Sequence, residues 1–164
     1  MIRPLEEKDI PEILDIYNWY IENTVITFEE EKLSLDEFSD RVHGIIKNYP
    51  FIVLEEDNKV VGYAYLDVFN PRVAYRYTAD VSIYLDHETR GKGYGSMLME
   101  EIISIAKEKG YVNLMSLITE GNTASEKIHE KFGFKREALC PQLGYKFNTW
   151  LGVSYYQLQL KKVK

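Results

Sequence analysis

The sequence predicts an α/β or α+β sandwich around a mixed β-sheet, and two observations lead to this fold class. Segments with strand and helix patterns alternate through the second half of the chain, as in folds whose sheet is covered by helices. The 164 residues include 45% hydrophobic residues and no repeat or linker-like tract. This composition favours one folded domain over residues 1–164.

The first half of the chain predicts two helices and a β-hairpin. Asp9 and Ser34 each begin a pattern that is typical of helix N-terminal caps. Two runs of β-forming residues, 51–54 and 60–68, flank residues 57–58, an Asp-Asn pair. We therefore expect two antiparallel strands joined by a tight turn at this pair.

The second half predicts strands and helices in turn. Residues 75–85, 113–118 and 155–160 have strand patterns, and a helix is expected from Thr123 to Gly133. Side chains of a strand point alternately to its two faces, so Asp80 shares the polar face of the first of these strands.

Charge and cysteine content exclude several classes of function. The net charge is −6, from 20 Lys and Arg against 26 Asp and Glu, which argues against a general binder of nucleic acid or anionic membrane. The single cysteine, Cys140, excludes an internal disulfide framework and a Cys-rich metal site. His43 and His87 show no ligand spacing, so no metal is expected.

The N-terminal residues predict no export signal. Charges at Arg3, Glu6 and Glu7 stand where a signal peptide needs an apolar run. No apolar stretch approaches the roughly 20 residues that a membrane helix needs. We therefore expect a cytoplasmic protein.

A glycine-rich loop, Arg90-Gly91-Lys92-Gly93-Tyr94-Gly95, follows the strand at 75–85 and opens a helix. Free N–H groups at a helix start and closely spaced glycines are typical of an anion-binding site. The spacing R-x-x-G-x-G matches neither a Walker loop nor a dinucleotide fingerprint. An ordinary strand-to-helix turn remains the alternative.

A polar helix face follows one strand later. Asn122, Ser125 and His129 lie at i, i+3 and i+7, and therefore share one face of the predicted helix. We expect the core face to be the one that carries Ile128 and Phe132. A solvated helix face would explain these polar residues equally well in isolation, but the nearby glycine loop favours a binding role.

These motifs resemble the GNAT superfamily of N-acetyltransferases. Residues 90–95 are similar to its R/Q-x-x-G-x-G/A pyrophosphate loop, and residues 128–134 to a downstream segment that usually has Tyr in place of His129. A closer resemblance is to the phosphinothricin and methionine sulfone/sulfoximine acetyltransferase branch. The motifs of that branch are spread over the whole chain, at residues 16–18, 75–80 and 144–147 and at Trp150.

The resemblance implies a fold and a co-substrate. The implied fold is a mixed, mostly antiparallel sheet of about seven strands, splayed between two parallel strands, with helices on both faces and acetyl-CoA in the gap. Lys92 could equally be a solvated surface charge. The residues implied in acetyl-CoA binding are Ile83, Tyr84, Leu85, Arg90, Gly91, Lys92, Gly93, Tyr94, Gly95, Ser96, Asn122 and Ser125.

The resemblance also implies catalytic residues. Acetyl transfer requires that an ammonium group lose a proton and that the departing sulfur gain one. Asp80 aligns with the Glu that is the general base in this branch, although Asp is one methylene shorter and could act through a water. His129 stands at the place of a Tyr general acid. The alternatives are an ion pair between Asp80 and a cation such as Arg76, and a His129 that contacts only cofactor or solvent.

Substrate contacts are expected just before the catalytic strand, at Tyr75, Arg76 and Thr78. The guanidinium of Arg76 suits a carboxylate, phosphinate or sulfone oxygen, although a surface Arg is the usual alternative. The aromatic residues that either wall this pocket or belong to the core are Tyr17, Phe28 and Trp150.

The expected function is transfer of the acetyl group of acetyl-CoA to the primary amine of a small amino-acid-like substrate, by direct attack in a ternary complex. The branch also implies a homodimer. One alternative is acetylation of another amine, such as a protein N-terminus, a polyamine or an antibiotic. A second is a non-catalytic acyl-CoA-binding sensor, which the Asp at position 80 leaves open.

Overall fold

The computed structural model describes residues 1–163. Within that range, seven strands form one sheet and four α-helices cover it. The strands are β1 (Ile2–Pro4), β2 (Phe51–Glu56), β3 (Lys59–Val68), β4 (Thr78–Leu85), β5 (Asn113–Thr119), β6 (Lys135–Lys146) and β7 (Thr149–Gln159). The helices are α1 (Ile10–Asn23), α2 (Leu35–Ile46), α3 (Tyr94–Glu108) and α4 (Thr123–Lys131). Across residues 1–163, no helix is long and apolar enough to cross a membrane.

The sheet is mixed, and its only parallel contact within residues 1–163 lies near its centre. The strand order is β1-β2-β3-β4-β5-β7-β6, and β4 with β5 is the parallel pair. This ladder is short, since it ends at Asp80 and Met115. Further on, β4 stays paired with β3 as far as Leu85, and β5 stays paired with β7 as far as Thr119. The two central strands therefore splay apart, which confirms the predicted fold class.

Helices cover both faces of the sheet, as predicted. α1 and α2 pack on one face, where Tyr17, Tyr63 and Tyr84 belong to one aromatic cluster. α3 packs on the other face through apolar side chains such as Leu98. The alternation along β4 agrees with this division, because Val81 packs on the α3 side while Tyr84 packs on the α1 side.

The two predicted helix caps have different outcomes. Ser34 forms a capping box with Glu37 at the start of α2, as predicted. Asp9 precedes α1 as predicted, but its side chain makes no cap hydrogen bond. Its carboxylate instead binds Arg3 and accepts the N–H of Glu6, so that it joins the helix start to β1.

Two strand predictions need correction. β6 was not predicted, because most of its residues are exposed and its ladder with β7 is interrupted, among other places, between Cys140 and Gly144. Such a strand lacks the two-residue apolar alternation that reveals strands in a sequence. β4 begins at Thr78 and not at Tyr75, because Val73–Tyr75 forms a 3₁₀ turn.

Candidate active site

A cavity of about 510 Å³ lies between the diverging halves of β4 and β5. Its walls are residues of β4 from Val81, residues of β5 from Ser116, the glycine-rich loop and one side of α4. Most of the residues predicted for acetyl-CoA binding line it, together with His129. They are Ile83, Tyr84, Leu85, Arg90, Gly91, Gly93, Tyr94, Gly95, Ser96, Asn122 and Ser125.

The glycine-rich loop has a backbone that suits an anion. Gly91 and Gly93 have φ angles of 85° and 80°, in the left-handed region that favours glycine. Gly93 is also the N-cap of α3 and has no side chain to cap the first turn. The N–H groups of that turn are therefore available to a phosphate. This local chemistry fits the diphosphate of acetyl-CoA.

Gly95 leaves room for a side chain of α4 to pack closely against α3. A Cβ atom added at this position would lie 2.8 Å from Cδ1 of Ile128 on α4. That separation is shorter than a normal carbon–carbon contact. A side chain at position 95 would therefore require the Ile128 side chain to shift, beside the cavity.

The two cations of the loop differ in position. Arg90 lines the cavity, and its guanidinium lies 5.7 Å from the ring centroid of Trp19. Lys92 does not line the cavity: its Nζ lies 2.9 Å from Oε2 of Glu56 in an exposed ion pair. The structure therefore does not bring Lys92 to the site, and the surface-charge alternative describes its position.

The start of α4 is capped by Asn122, the residue just before the predicted first helical residue, Thr123. The Asn122 side chain accepts the N–H of Ser125 at 3.4 Å. This bond fixes the first turn of α4, which lines the cavity.

His129 is more deeply buried than sequence analysis predicted. Its side chain belongs to the polar face of α4, yet the residue is only 5% exposed, whereas Ile128 and Phe132 are half-buried. The ring packs edge-on against Phe134 with centroids 4.9 Å apart. Nδ1 lies 2.7 Å from the backbone oxygen of Ser125, while Nε2 is buried without a hydrogen-bond partner. Burial lowers the pKa of His129 below its usual value.

Asp80 has no cation to neutralise it within residues 1–163, and its Oδ1 is buried without a hydrogen-bond partner. The alternative of an ion pair with Arg76 does not hold, because that guanidinium lies 4.6 Å from the ring centroid of Tyr77 and donates to the backbone oxygen of Val73. Asp80 closes the parallel ladder, and the next residue, Val81, lines the cavity.

The pKa of Asp80 is strongly perturbed. Burial, and second the negative charge of Asp67, raise it from 3.8 to about 7, although a hydrogen bond from the N–H of Val81 opposes the shift. Asp67 lies directly opposite Asp80 in the β3–β4 ladder. Sequence analysis did not identify Asp67, because only the strand register shows that the two carboxylates face each other.

The predicted substrate residues lie around the start of β4. Thr78 is its first residue and shares a face with Asp80. Tyr75 is exposed and packs edge-on against Phe69. None of Tyr75, Arg76 and Thr78 lines the cavity between β4 and β5.

Two side chains whose roles sequence analysis did not predict bind the end of α1 and the segment between α1 and α2, beside the cavity. Lys146 is fully buried, and its Nζ donates to the backbone oxygens of Ile21 and Thr27, both at 2.8 Å. Thr119, which lines the cavity, donates to the backbone oxygen of Val25 at 2.9 Å. A lysine in an exposed-looking strand gives no sequence signal of such burial.

The three aromatic candidates divide between core and surface. Tyr17 is buried in the core between Phe38 and Tyr84. Phe28 is 39% exposed and Trp150 is 61% exposed, so neither is a core residue. Within residues 1–163, no group of three or more His, Cys, Asp or Glu side chains could hold a metal ion.

Comparisons with known proteins agree along nearly the whole chain. The family model of the acetyltransferase (GNAT) domain matches residues 2–152. The L-methionine sulfoximine/L-methionine sulfone acetyltransferase of Pseudomonas aeruginosa is 33% identical over 164 residues, covering 97% of this chain and 94% of that protein. The structure of an N-acetyltransferase from Staphylococcus aureus has a TM-score of 0.96 and 40% identity over 98% of each chain. A phosphinothricin acetyltransferase from Sinorhizobium meliloti, solved with acetyl-CoA, has a TM-score of 0.94 and 34% identity, covering 97% of this chain and 87% of that one.

Asp80 should titrate at about pH 7 in the free protein, because burial and Asp67 disfavour its charged form. Carbon-detected NMR of the side-chain carboxyl groups measures this pKa, and Asp80→Asn assigns the signal. Asp67→Asn removes the facing charge and should lower the pKa of Asp80, while Asp15→Asn, which removes an exposed carboxylate on α1, should not. An Asp80 that titrates in the ordinary range would contradict the prediction.

Proposed function

The chain belongs to the acetyltransferase (GNAT) domain family, and on that premise we propose that it transfers the acetyl group of acetyl-CoA to the primary amine of a small amino-acid-like substrate. The substrate class is that of phosphinothricin, methionine sulfone and methionine sulfoximine, which the names of its relatives carry. The observation that carries this proposal is the buried Oδ1 of Asp80, which has no hydrogen-bond partner and lies where the two central strands begin to splay.

The cavity residues support acetyl-CoA as the co-substrate. When bound, acetyl-CoA supplies an acyl group activated by its thiol leaving group. The first turn of α3 and Arg90 offer N–H donors and positive charge to a diphosphate. The edge of β4 from Val81 to Leu85 that faces β5 has no strand partner, so an extended pantetheine chain could lie along it.

Asp80 is the proposed general base. With a pKa of about 7, its carboxylate is ionised in a large fraction of molecules at neutral pH and still has appreciable basicity. A base whose pKa is near the working pH combines these two properties best. The amine that loses its proton to Asp80 can then attack the thioester directly, and no cysteine nucleophile is needed. Cys140 lies on β6 and does not line the cavity.

Tyr75, Arg76 and Thr78 remain the proposed substrate contacts. Thr78 lies two residues before Asp80 on the same face of β4, and the other two lie just upstream of it. The exposed Tyr75 could contact a substrate that enters from the side opposite to acetyl-CoA. This arrangement supports a ternary complex, since the two substrates would then approach Asp80 from different ends of the splayed strands.

The central test is release of free thiol from acetyl-CoA with methionine sulfone, methionine sulfoximine and phosphinothricin as acceptors. We expect turnover with at least one of them, and a kcat/KM that rises with pH through about 7 as Asp80 ionises. Asp80→Asn removes the base and should lower kcat by about 100- to 10,000-fold. Asp15→Asn serves as the matched control.

Two results of that assay would contradict the proposal. Turnover restricted to polyamines, antibiotics or protein N-termini would refute the substrate class. Binding of acetyl-CoA without thiol release for any amine would instead support the acyl-CoA sensor.

The charge of Arg90 should contribute to acetyl-CoA affinity. Arg90→Ala removes a charge-assisted donor from the cavity and should weaken binding about ten-fold by calorimetry. Lys92→Ala is the matched control, because Lys92 pairs with Glu56 outside the cavity. Its effect should remain within about two-fold. Equal losses for the two variants would show that only the net charge of the loop matters.

We also propose a homodimer that forms through the hairpin of β6 and β7. The exposed side chains of this hairpin include Leu143, Tyr145, Phe147 and Trp150, and exposed apolar patches of this kind are typical of interfaces. Sedimentation velocity at micromolar concentration should give the mass of a dimer, and Trp150→Glu should shift the protein to monomer. A wild-type monomer at that concentration would refute the dimer.

A further inference from the structure

The hydrogen bond of His129 to its own helix determines which ring nitrogen carries the proton. Nδ1 lies 2.7 Å from the backbone oxygen of Ser125. A carbonyl oxygen can only accept a hydrogen bond, so the hydrogen between these atoms belongs to Nδ1. In a neutral imidazole, Nε2 is then an acceptor with a lone pair and no hydrogen to donate.

The surroundings of the ring favour its neutral form. Burial lowers the pKa of His129. β7 contributes Tyr156, whose hydroxyl donates to Glu130, and α4 itself carries Glu126 and Glu130. The face toward β5 offers Ser116. Within residues 1–163, the polar contacts of the imidazole are limited to Ser125, so that no carboxylate stabilises an imidazolium.

His129 lines the cavity, whereas Asp80 does not, but the two residues lie at nearly the same level along the central strands. Its ring centroid is 6.1 Å from that of Tyr156, which is the register partner of Ser116 on β5. Ser116 follows Met115, which pairs with Asp80 in the last step of the parallel ladder. The unpartnered Nε2 of His129 is therefore placed near the closed end of the splay, on the face of the sheet opposite to the side chain of Asp80, whose Oδ1 also lacks a partner. A thioester that lies between the two strands at this level can be approached by one group from each face.

We propose that His129 is a hydrogen-bond acceptor for the thiol S–H of coenzyme A, and that it holds the product thiol instead of protonating the departing sulfur. This proposal rests on the proposed function, because it requires the thioester end of acetyl-CoA to lie beside Asp80. A buried acceptor without a partner needs a donor from the ligand. At this end, coenzyme A offers an S–H group, whereas the sulfur of acetyl-CoA carries no hydrogen.

The proton balance does not require an acid at His129. As the nitrogen–carbon bond forms and the carbon–sulfur bond breaks, one proton of the ammonium goes to Asp80. A second proton leaves the nitrogen as the amide forms and goes to the sulfur, and the third remains on the amide. His129 therefore keeps its Nδ1 proton throughout and accepts the S–H at Nε2.

The first test uses the free protein and no substrate. Nitrogen-15 NMR of the imidazole rings at neutral pH should show His129 as the neutral Nδ1–H tautomer, with the signals of the partly exposed His43 and His87 as internal comparators. An imidazolium or an Nε2–H tautomer for His129 would overturn the proposal. Because this measurement requires no turnover, it separates the proposal from the assigned enzyme activity.

The second test compares coenzyme A with desulfo-coenzyme A, which has hydrogen in place of the thiol. His129→Phe retains an aromatic ring among Phe134 and Tyr156 but removes the acceptor. By calorimetry, this variant should lose about two- to ten-fold in affinity for coenzyme A and less than about two-fold for desulfo-coenzyme A. Equal losses for the two ligands, or no loss for either, would overturn the proposal.

A variant that fails to fold would not prevent the test. In the wild-type protein, coenzyme A should shift the Nε2 resonance of His129 and desulfo-coenzyme A should leave it in place; equal responses to the two ligands would again overturn the proposal. If neither acetyl-CoA nor coenzyme A binds the wild-type protein, the proposed function itself fails, whatever tautomer His129 adopts.

The pH dependence of turnover separates an acceptor from an acid. An acid must be protonated, so kcat would fall as the pH rises through the pKa of His129, which burial lowers. If His129 is instead a neutral acceptor, its titration should cause no fall in kcat as the pH rises. A decrease in kcat on the alkaline side that disappears in His129→Phe would refute the acceptor role.

Discussion

The early end of the parallel ladder between β4 and β5 is the constraint on which the site depends. β4 remains paired with β3, and β5 remains paired with β7, so each central strand keeps the hydrogen bonds on its outer edge. The inner edges of β4 and β5 separate beyond Asp80 and Met115. Unpaired backbone edges inside a protein are costly unless a ligand or water satisfies them. The unpaired N–H and C=O groups of the two strands therefore favour a ligand that can form hydrogen bonds with the backbone, and the cavity lies between these two edges.

The polar groups at the closed end of this splay are placed without their usual partners. Asp80 faces a second carboxylate in Asp67 instead of a cation, and His129 directs its only donor to Ser125. Burial disfavours the charged form of both side chains, and the facing charge of Asp67 adds to this effect at Asp80. A site in which both the base and the hydrogen-bond acceptor are easily uncharged can transfer protons without a large change in its net charge.

The parts of this protein that its sequence reveals are those encoded over a few consecutive residues. The glycine-rich loop, the capping box at Ser34 and the alternation along β4 are local patterns, and each has its predicted structure. The facing of Asp67 and Asp80 depends on strand register, which is set by the whole β3–β4 ladder. The burial of His129 depends on β7, a strand distant in sequence. Interactions between distant segments were therefore missed, although Asp80 and His129 had themselves been identified as candidate catalytic residues.

Lys146 connects two parts of the molecule that are distant in sequence. It lies at the end of β6 and binds the backbone oxygens of Ile21 and Thr27, at the end of α1 and in the segment that follows it. Releasing either part would leave a buried ammonium without its acceptors, which is a costly state. The hairpin and this segment should therefore open as one cooperative unit in local unfolding. Amide hydrogens that exchange with solvent through this opening would then have the same free energy of opening in both parts.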